Sequence, residues 1–70
     1  MISKTHQRIF REFCEWSPTH ASMVVDYAEW GSTSIVVWLN NGIAYKVKRH
    51  APYKFTMQVV YEEDIKRKTS

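Results

Sequence analysis

The sequence predicts an α+β fold, in which one N-terminal amphipathic helix packs on one face of a four-stranded antiparallel meander sheet. Three patterns predict it. Apolar residues recur with a helical period over residues 4–16. Two β-prone runs flank Asn-Asn-Gly at residues 40–42, and this composition is typical of a hairpin turn because Asn and Gly tolerate positive φ. Five apolar residues then recur at strict two-residue spacing over residues 53–61, as they do in a strand.

The helical segment has a well-defined apolar side. Projected at about 100° per residue, its apolar residues fall within one arc of about 160°. They are Ile2, Ile9, Phe10, Phe13, Cys14 and Trp16. Ser3 or Thr5 provides the N-terminal cap, and Ser17-Pro18 ends the helix because proline disfavours helical geometry in the residue before it. We expect this helix to pack on the sheet, since a helix lying on a membrane surface would carry more cations.

The strands follow in order. The first is expected at residues 22–29, with Met23, Val25 and Tyr27 on one face, and a turn at residues 30–32 leads into the central hairpin. His50-Ala51-Pro52 interrupts the ladder before the fourth strand, because proline lacks the N–H that a strand donates. The charged tail is either solvated or forms a short C-terminal helical turn, which its i,i+4 pairs of acidic and basic residues favour.

The second strand reads Ile-Val-Val-Trp-Leu and is apolar on both faces. Such a run places large apolar side chains on the face that the helix leaves uncovered. A one-residue slip of the hairpin reverses every side chain. A two-residue turn would leave Val37 and Leu39 uncovered, whereas a three-residue loop would leave Val36 and Trp38 uncovered. We favour the three-residue loop, because it gives every apolar residue of the third strand an apolar neighbour.

Basic residues collect on the third and fourth strands. Between Trp30 and Tyr61 the chain has four lysines or arginines and no acidic residue. A tryptophan beside lysines can anchor in an acidic protein partner, or it can stack on a base while the cations meet phosphates. The lysines can also form an ordinary solvated face that prevents aggregation. The candidate partner-binding residues are Trp38, Val36, Lys46, Lys48, Arg49, Tyr53, Lys54 and Trp30.

Catalytic or metal chemistry has little support in the sequence. His6 and Cys14 are about 12 Å apart along one helix, which is too far for both to bind one metal ion. Cys14 lies near the helix C-terminus, where the helix dipole opposes a thiolate. His20 and His50 lack the spacing of a metal site. We therefore expect no catalytic, cofactor-binding or metal-binding residue, and we expect His6 to be buried and hydrogen-bonded.

The size of the chain narrows the class of function. Its 70 residues form one domain, with the helix and its end at residues 1–18, the sheet at 19–61 and the charged tail at 62–70. In so short a chain, apolar burial and ordering entropy nearly cancel, which favours a homodimer or a partner. A single cysteine, with no apolar leader or membrane-spanning run, indicates a cytoplasmic protein without a membrane partner.

These observations predict a small non-catalytic binding protein that acts through protein–protein contact as a regulator, inhibitor or adaptor. Small inhibitors of the kind that phages and other mobile elements carry share this size and composition. The alternative is a nucleic-acid-binding protein that uses the same Lys, Arg and Trp face. The net charge of +3 ranks that alternative second, because dedicated nucleic-acid binders are usually more basic.

Overall fold

Two helices precede an antiparallel sheet in the computed structural model, which describes residues 2–61. The elements are α1 (Lys4–Trp16), α2 (Pro18–Ala21), β1 (Val24–Trp30), β2 (Ser34–Leu39), β3 (Ala44–Ala51) and β4 (Lys54–Val60). The sheet order is β1-β2-β3-β4 and every pairing is antiparallel, so the predicted α+β meander is confirmed. The predicted C-terminal helical turn lies outside the described residues.

Helix α1 has the predicted bounds. Ser3 is its N-terminal cap, since the Ser3 hydroxyl oxygen accepts a hydrogen bond from the backbone N–H of His6 at 3.2 Å. A second helix was not predicted between α1 and the first strand, but α2 begins directly at Pro18. Proline suits the first position of a helix, where its missing N–H has no intrahelical partner to lose.

Strand β1 contains a bulge that the sequence did not reveal. Val24 pairs with Leu39 and Asp26 pairs with Trp38, which leaves Val25 as the extra residue. The predicted grouping of Met23, Val25 and Tyr27 on one face was therefore wrong, since Val25 is exposed. β1 also continues through Trp30, which was expected to lie in the turn.

The hairpin between β2 and β3 has the favoured three-residue loop. Val37 pairs with Tyr45, and the N–H of Leu39 donates to the carbonyl oxygen of Ile43 at 2.9 Å. Gly42 has a φ of +87°, a left-handed conformation that glycine adopts without steric cost. The confirmed register decides which side chains of β2 face the helix.

The core lies between α1 and one face of the sheet, which we call the covered face. Its buried residues are Ile9, Phe13, Ile35, Val37, Leu39 and Val47. Phe10 of α1 stacks on Tyr27 of β1 with the ring centroids 3.9 Å apart, so aromatic contacts extend the core toward the edge strand. Among residues 2–61 no helix is both long enough and apolar enough to cross a bilayer.

Candidate functional site

The opposite side of the sheet has no described element packed on it, and we call it the open face. The side chains that alternation assigns to the open face include Asp26, Ala28, Trp30, Ser34, Val36, Trp38, Ala44, Lys46, Lys48, Lys54, Thr56, Gln58 and Val60. Six of the eight predicted partner-binding residues lie on the open face, namely Trp30, Val36, Trp38, Lys46, Lys48 and Lys54. Val36 requires correction because it is buried, and Arg49 and Tyr53 require correction because they lie elsewhere.

Val36 lies on the open face but is only 1% exposed, so it cannot serve as the predicted anchor. Its neighbours across the strands are Ala28 and Lys46. The Lys46 ammonium lies 5.8 Å from the centroid of the Trp30 ring. Trp30 is on β1 and Lys46 is on β3, and strands two positions apart are separated by about 10 Å. The two side chains therefore meet above β2, on the side of the sheet where Val36 lies.

Val36 and Trp38 were predicted to be uncovered, and of these two only Trp38 is partly exposed to solvent. It is partly buried, and it pairs with Asp26 on β1 and with the small side chain of Ala44 on β3. A large ring beside a small residue leaves a step in the surface. Together with Trp30, Trp38 makes the β1–β2 half of the open face aromatic.

The β3–β4 half of the open face is basic. A shallow depression of about 110 Å³ is lined by Lys46, Lys48, His50, Thr56 and Gln58. Lys46 pairs with Gln58 and Lys48 pairs with Thr56 across these two strands. The Nε2 atom of His50 is 2.6 Å from the Thr56 hydroxyl oxygen. Among residues 2–61, the lining of this depression offers several hydrogen-bond donors and no carboxylate that would compete with an anionic ligand.

Arg49 was wrongly assigned to the binding face. It shares the covered face with Tyr45 and Val47, and its Nε donates to Oε1 of Glu12 on α1 at 2.9 Å. This hydrogen bond from Arg49 holds the pKa of the Glu12 carboxyl below its ordinary value. The parity of residues 45, 47 and 49 was the available signal, because alternation puts Arg49 on the side of the core.

Tyr53 was also wrongly assigned, because it lies in the turn between β3 and β4 with a φ of +60°. Its hydroxyl donates to Oε2 of Glu15 at 2.7 Å, and its N–H donates to Oε1 of Glu12 at 3.4 Å. The hydrogen bond to Glu15 raises the pKa of the Tyr53 hydroxyl. Tyr53 therefore ties this turn to α1. Lys54 follows it and shares the alternation of Thr56 and Gln58, as predicted for the open face.

The structure also fixes the environments of His6 and Cys14. His6 is buried, as expected, and its Nε2–H donates to the carbonyl oxygen of Gly31 at 2.6 Å, while its Nδ1 is hydrogen-bonded to the Ser3 hydroxyl. Burial raises the pKa of the Cys14 thiol, which disfavours the reactive thiolate. Across residues 2–61 no three His, Cys, Asp or Glu side chains are grouped as metal ligands.

Three residues that line the depression, namely His50, Thr56 and Gln58, were not among the predicted partner-binding residues. Thr56 and Gln58 share the parity of Lys54, and that spacing was the signal that could have found them. Comparison with family models, curated proteins and solved structures found no match. The functional argument therefore depends on the surface of the chain itself.

Proposed function

We propose that this chain is a non-catalytic binding protein that docks the open face of its sheet on an acidic surface of a protein partner. One observation carries the proposal. Two partly exposed tryptophans, Trp30 and Trp38, lie beside the cationic Lys46, Lys48 and Lys54 on a face that no other described element covers.

The two halves of the face have separate roles in this proposal. Trp38 enters a pocket of the partner, because tryptophan is enriched among the residues that dominate binding energy and Trp38 keeps solvent contact. Lys48 and Lys54 are exposed, and they accelerate association by attracting the acidic surface. The Lys46 ammonium contacts the Trp30 ring, so Lys46 contributes less than the other two lysines to attracting the acidic partner.

Nucleic-acid binding through the same face is the second candidate. The observation that favours it is the depression lined by two lysines, His50, Thr56 and Gln58, which matches the chemistry of a phosphate group. We rank nucleic-acid binding second because the open face carries few cations. Three lysines would neutralise about three phosphates, whereas proteins with strongly salt-dependent binding make about 6–10 such contacts.

The test compares two charge reversals of equal size. Lys48→Glu/Lys54→Glu removes two exposed cations from the open face, and Lys4→Glu/Arg8→Glu makes the same change of charge on the outer side of α1. Both variants and the original chain are immobilised and exposed to an extract of the source cells. Each captured protein is then purified and titrated, and a single-stranded and a duplex oligonucleotide are titrated in parallel at low and moderate salt.

The proposal requires an acidic protein whose affinity falls at least tenfold with the open-face variant and is unchanged with the α1 variant. Trp38→Ala should weaken the same complex while the chain stays folded. Oligonucleotide binding that falls steeply with salt and depends on Lys48 and Lys54 would instead establish the second candidate. A captured protein that binds both charge variants equally would show that the open face is not its docking site.

A further inference from the structure

The two outer strands of the sheet differ in how they are protected against pairing with another strand. Among residues 2–61, β1 and β4 each have a neighbouring strand on one side only. β1 carries a bulge at Val25 and two carboxylates, Asp26 and Glu29, which are features that discourage edge pairing. The pairing of β4 with β3 is regular from Phe55 to Val60. Its one charge, Lys54, lies at its first residue.

Exposed apolar side chains concentrate beside β4. Of the six large hydrophobic residues that are exposed within residues 2–61, four lie on this strand or next to it. They are Trp16 at 40%, Tyr53 at 52%, Val59 at 46% and Tyr61 at 72% exposed. Trp16 reaches β4 through Phe55, with ring centroids 5.3 Å apart. An unprotected edge strand flanked by exposed apolar groups is the arrangement that promotes association through strands.

We propose that β4 pairs antiparallel with β4 of a second copy of this chain, centred on Met57, to form a continuous eight-stranded sheet. In this register Phe55 lies opposite Val59 of the second copy, and Met57 lies opposite its own counterpart. On the other side of the sheet, Thr56 lies opposite Gln58. Lys54 lies opposite Val60, so no like charges meet.

The composition of β4 is the reason to expect that a second copy of this chain pairs with its free edge. Phe55, Met57 and Val59 are the apolar parity set, and antiparallel self-pairing about Met57 brings each member opposite another member. A register shifted by one residue would place Met57 opposite Gln58 and lose this match. Because opposite residues project to the same side of a sheet, both copies of α1 lie on one side and the two open faces join on the other.

This inference does not depend on the proposed function, because it concerns the edge of the sheet and uses no partner protein. The mass of the purified chain is measured by sedimentation equilibrium from micromolar to near-millimolar concentration. Dimerisation gives twice the chain mass of 8.3 kDa. Val59→Lys should lower the association constant about tenfold or more, because pairing would bury the added cation opposite Phe55.

Val25→Lys is the matched control, since it makes the same substitution at an exposed valine of the other edge strand. It should leave the association constant unchanged. Circular dichroism confirms that both variants fold. A chain that stays monomeric over the whole concentration range overturns the proposal, and so does a dimer that Val25→Lys weakens and Val59→Lys does not.

The register is tested by two double variants on the exposed side of β4. Thr56→Glu/Gln58→Lys places opposite charges across the proposed interface, whereas Thr56→Lys/Gln58→Lys places like charges there. The first variant should dimerise severalfold more strongly than the second. Equal association constants for the two variants would show that β4 does not pair about Met57.

Discussion

Val36 and Val37 are adjacent on β2, are 1% and 0% exposed, and point to opposite faces of the sheet. Val37 belongs to the core cluster with Phe13 of α1, so a whole secondary-structure element covers it. Val36 lies on the open face between Ala28 and Lys46, where no described element is packed, and the Lys46 ammonium lies 5.8 Å from the centroid of the Trp30 ring. Among residues 2–61, an apolar residue of the open face is thus as deeply buried as one beneath the helix.

The contacts around Val37 and those around Val36 differ in strength. Displacing α1 from Val37 would break the whole core, as well as the contacts of Glu12 with Arg49 and of Phe10 with Tyr27. The contact of the Lys46 ammonium with the Trp30 ring is worth only about 0.5–1 kcal/mol at an exposed site. The contacts that hold α1 on the covered face are therefore the ones that maintain the fold.

The largest expected difference between the faces comes from their aromatic residues. Phe13→Ala should lower the free energy of unfolding by about 3–5 kcal/mol, since Phe13 is fully buried in the core. This is a large part of the stability of a small domain, and urea titration followed by circular dichroism measures it. Trp38→Ala on the open face should cost clearly less because Trp38 keeps solvent contact. Equal losses would place Trp38 in the core and remove it from the proposed site.

The two valines provide a closer comparison, because the same side chain is truncated on each face. Val37→Ala should cost about 2–3 kcal/mol, which is the transfer free energy of the lost carbons plus a cavity under α1. Val36→Ala should cost about 1 kcal/mol, since Trp30 and Lys46 can move to fill the space. Both are measured by urea unfolding. A loss from Val36→Ala as large as that from Val37→Ala would mean that the side chains around Val36 are rigid.

A smaller effect is expected from the polar contact between Glu12 and Arg49 on the covered face, which should make the stability of the protein depend on pH. The folded pKa of Glu12 is lowered, chiefly by the hydrogen bond from Arg49. A carboxyl whose folded pKa is lowered contributes stability that is fully present above the ordinary pKa of 4.5. This stability is lost as the pH falls through the folded pKa. Glu12→Gln should therefore lower stability near neutral pH and reduce its loss on acidification.

Thermal unfolding between neutral pH and pH values below 4.5 measures this dependence. Arg49→Gln is the matched variant, because it removes the donor and leaves the carboxyl in place. It should reduce the loss of stability in acid to a similar degree. An acid slope that Arg49→Gln leaves unchanged would show that another group is responsible for it.

Local patterns predicted most of the fold. The 3.6-residue period and the Ser3 and Pro18 signals predicted α1 to the residue, and Asn-Asn-Gly predicted the three-residue loop. The prediction failed where the local pattern was ambiguous. Met23, Val24 and Val25 are consecutive apolar residues, so alternation alone could not decide which of them would bulge. The four residues of α2 are too few to show a helical period.

The candidate site was less predictable, since the exposure of a side chain depends on residues distant in sequence. Lys46, Lys48 and Lys54 were predicted from alternation and share the open face. Arg49 was assigned by its charge, and its partner Glu12 lies 37 residues away on α1.

By itself the sequence determined α1, the four strands and their order, and the register of the central hairpin, because these depend on residues within a few positions of one another. Only the tertiary structure decided that Val36 is buried, that Arg49 binds Glu12 and that Tyr53 joins the turn to α1. Each of these depends on side chains brought together from separate elements. The physical reason is that burial and pairing are set by distance in space, which periodicity along the chain does not encode.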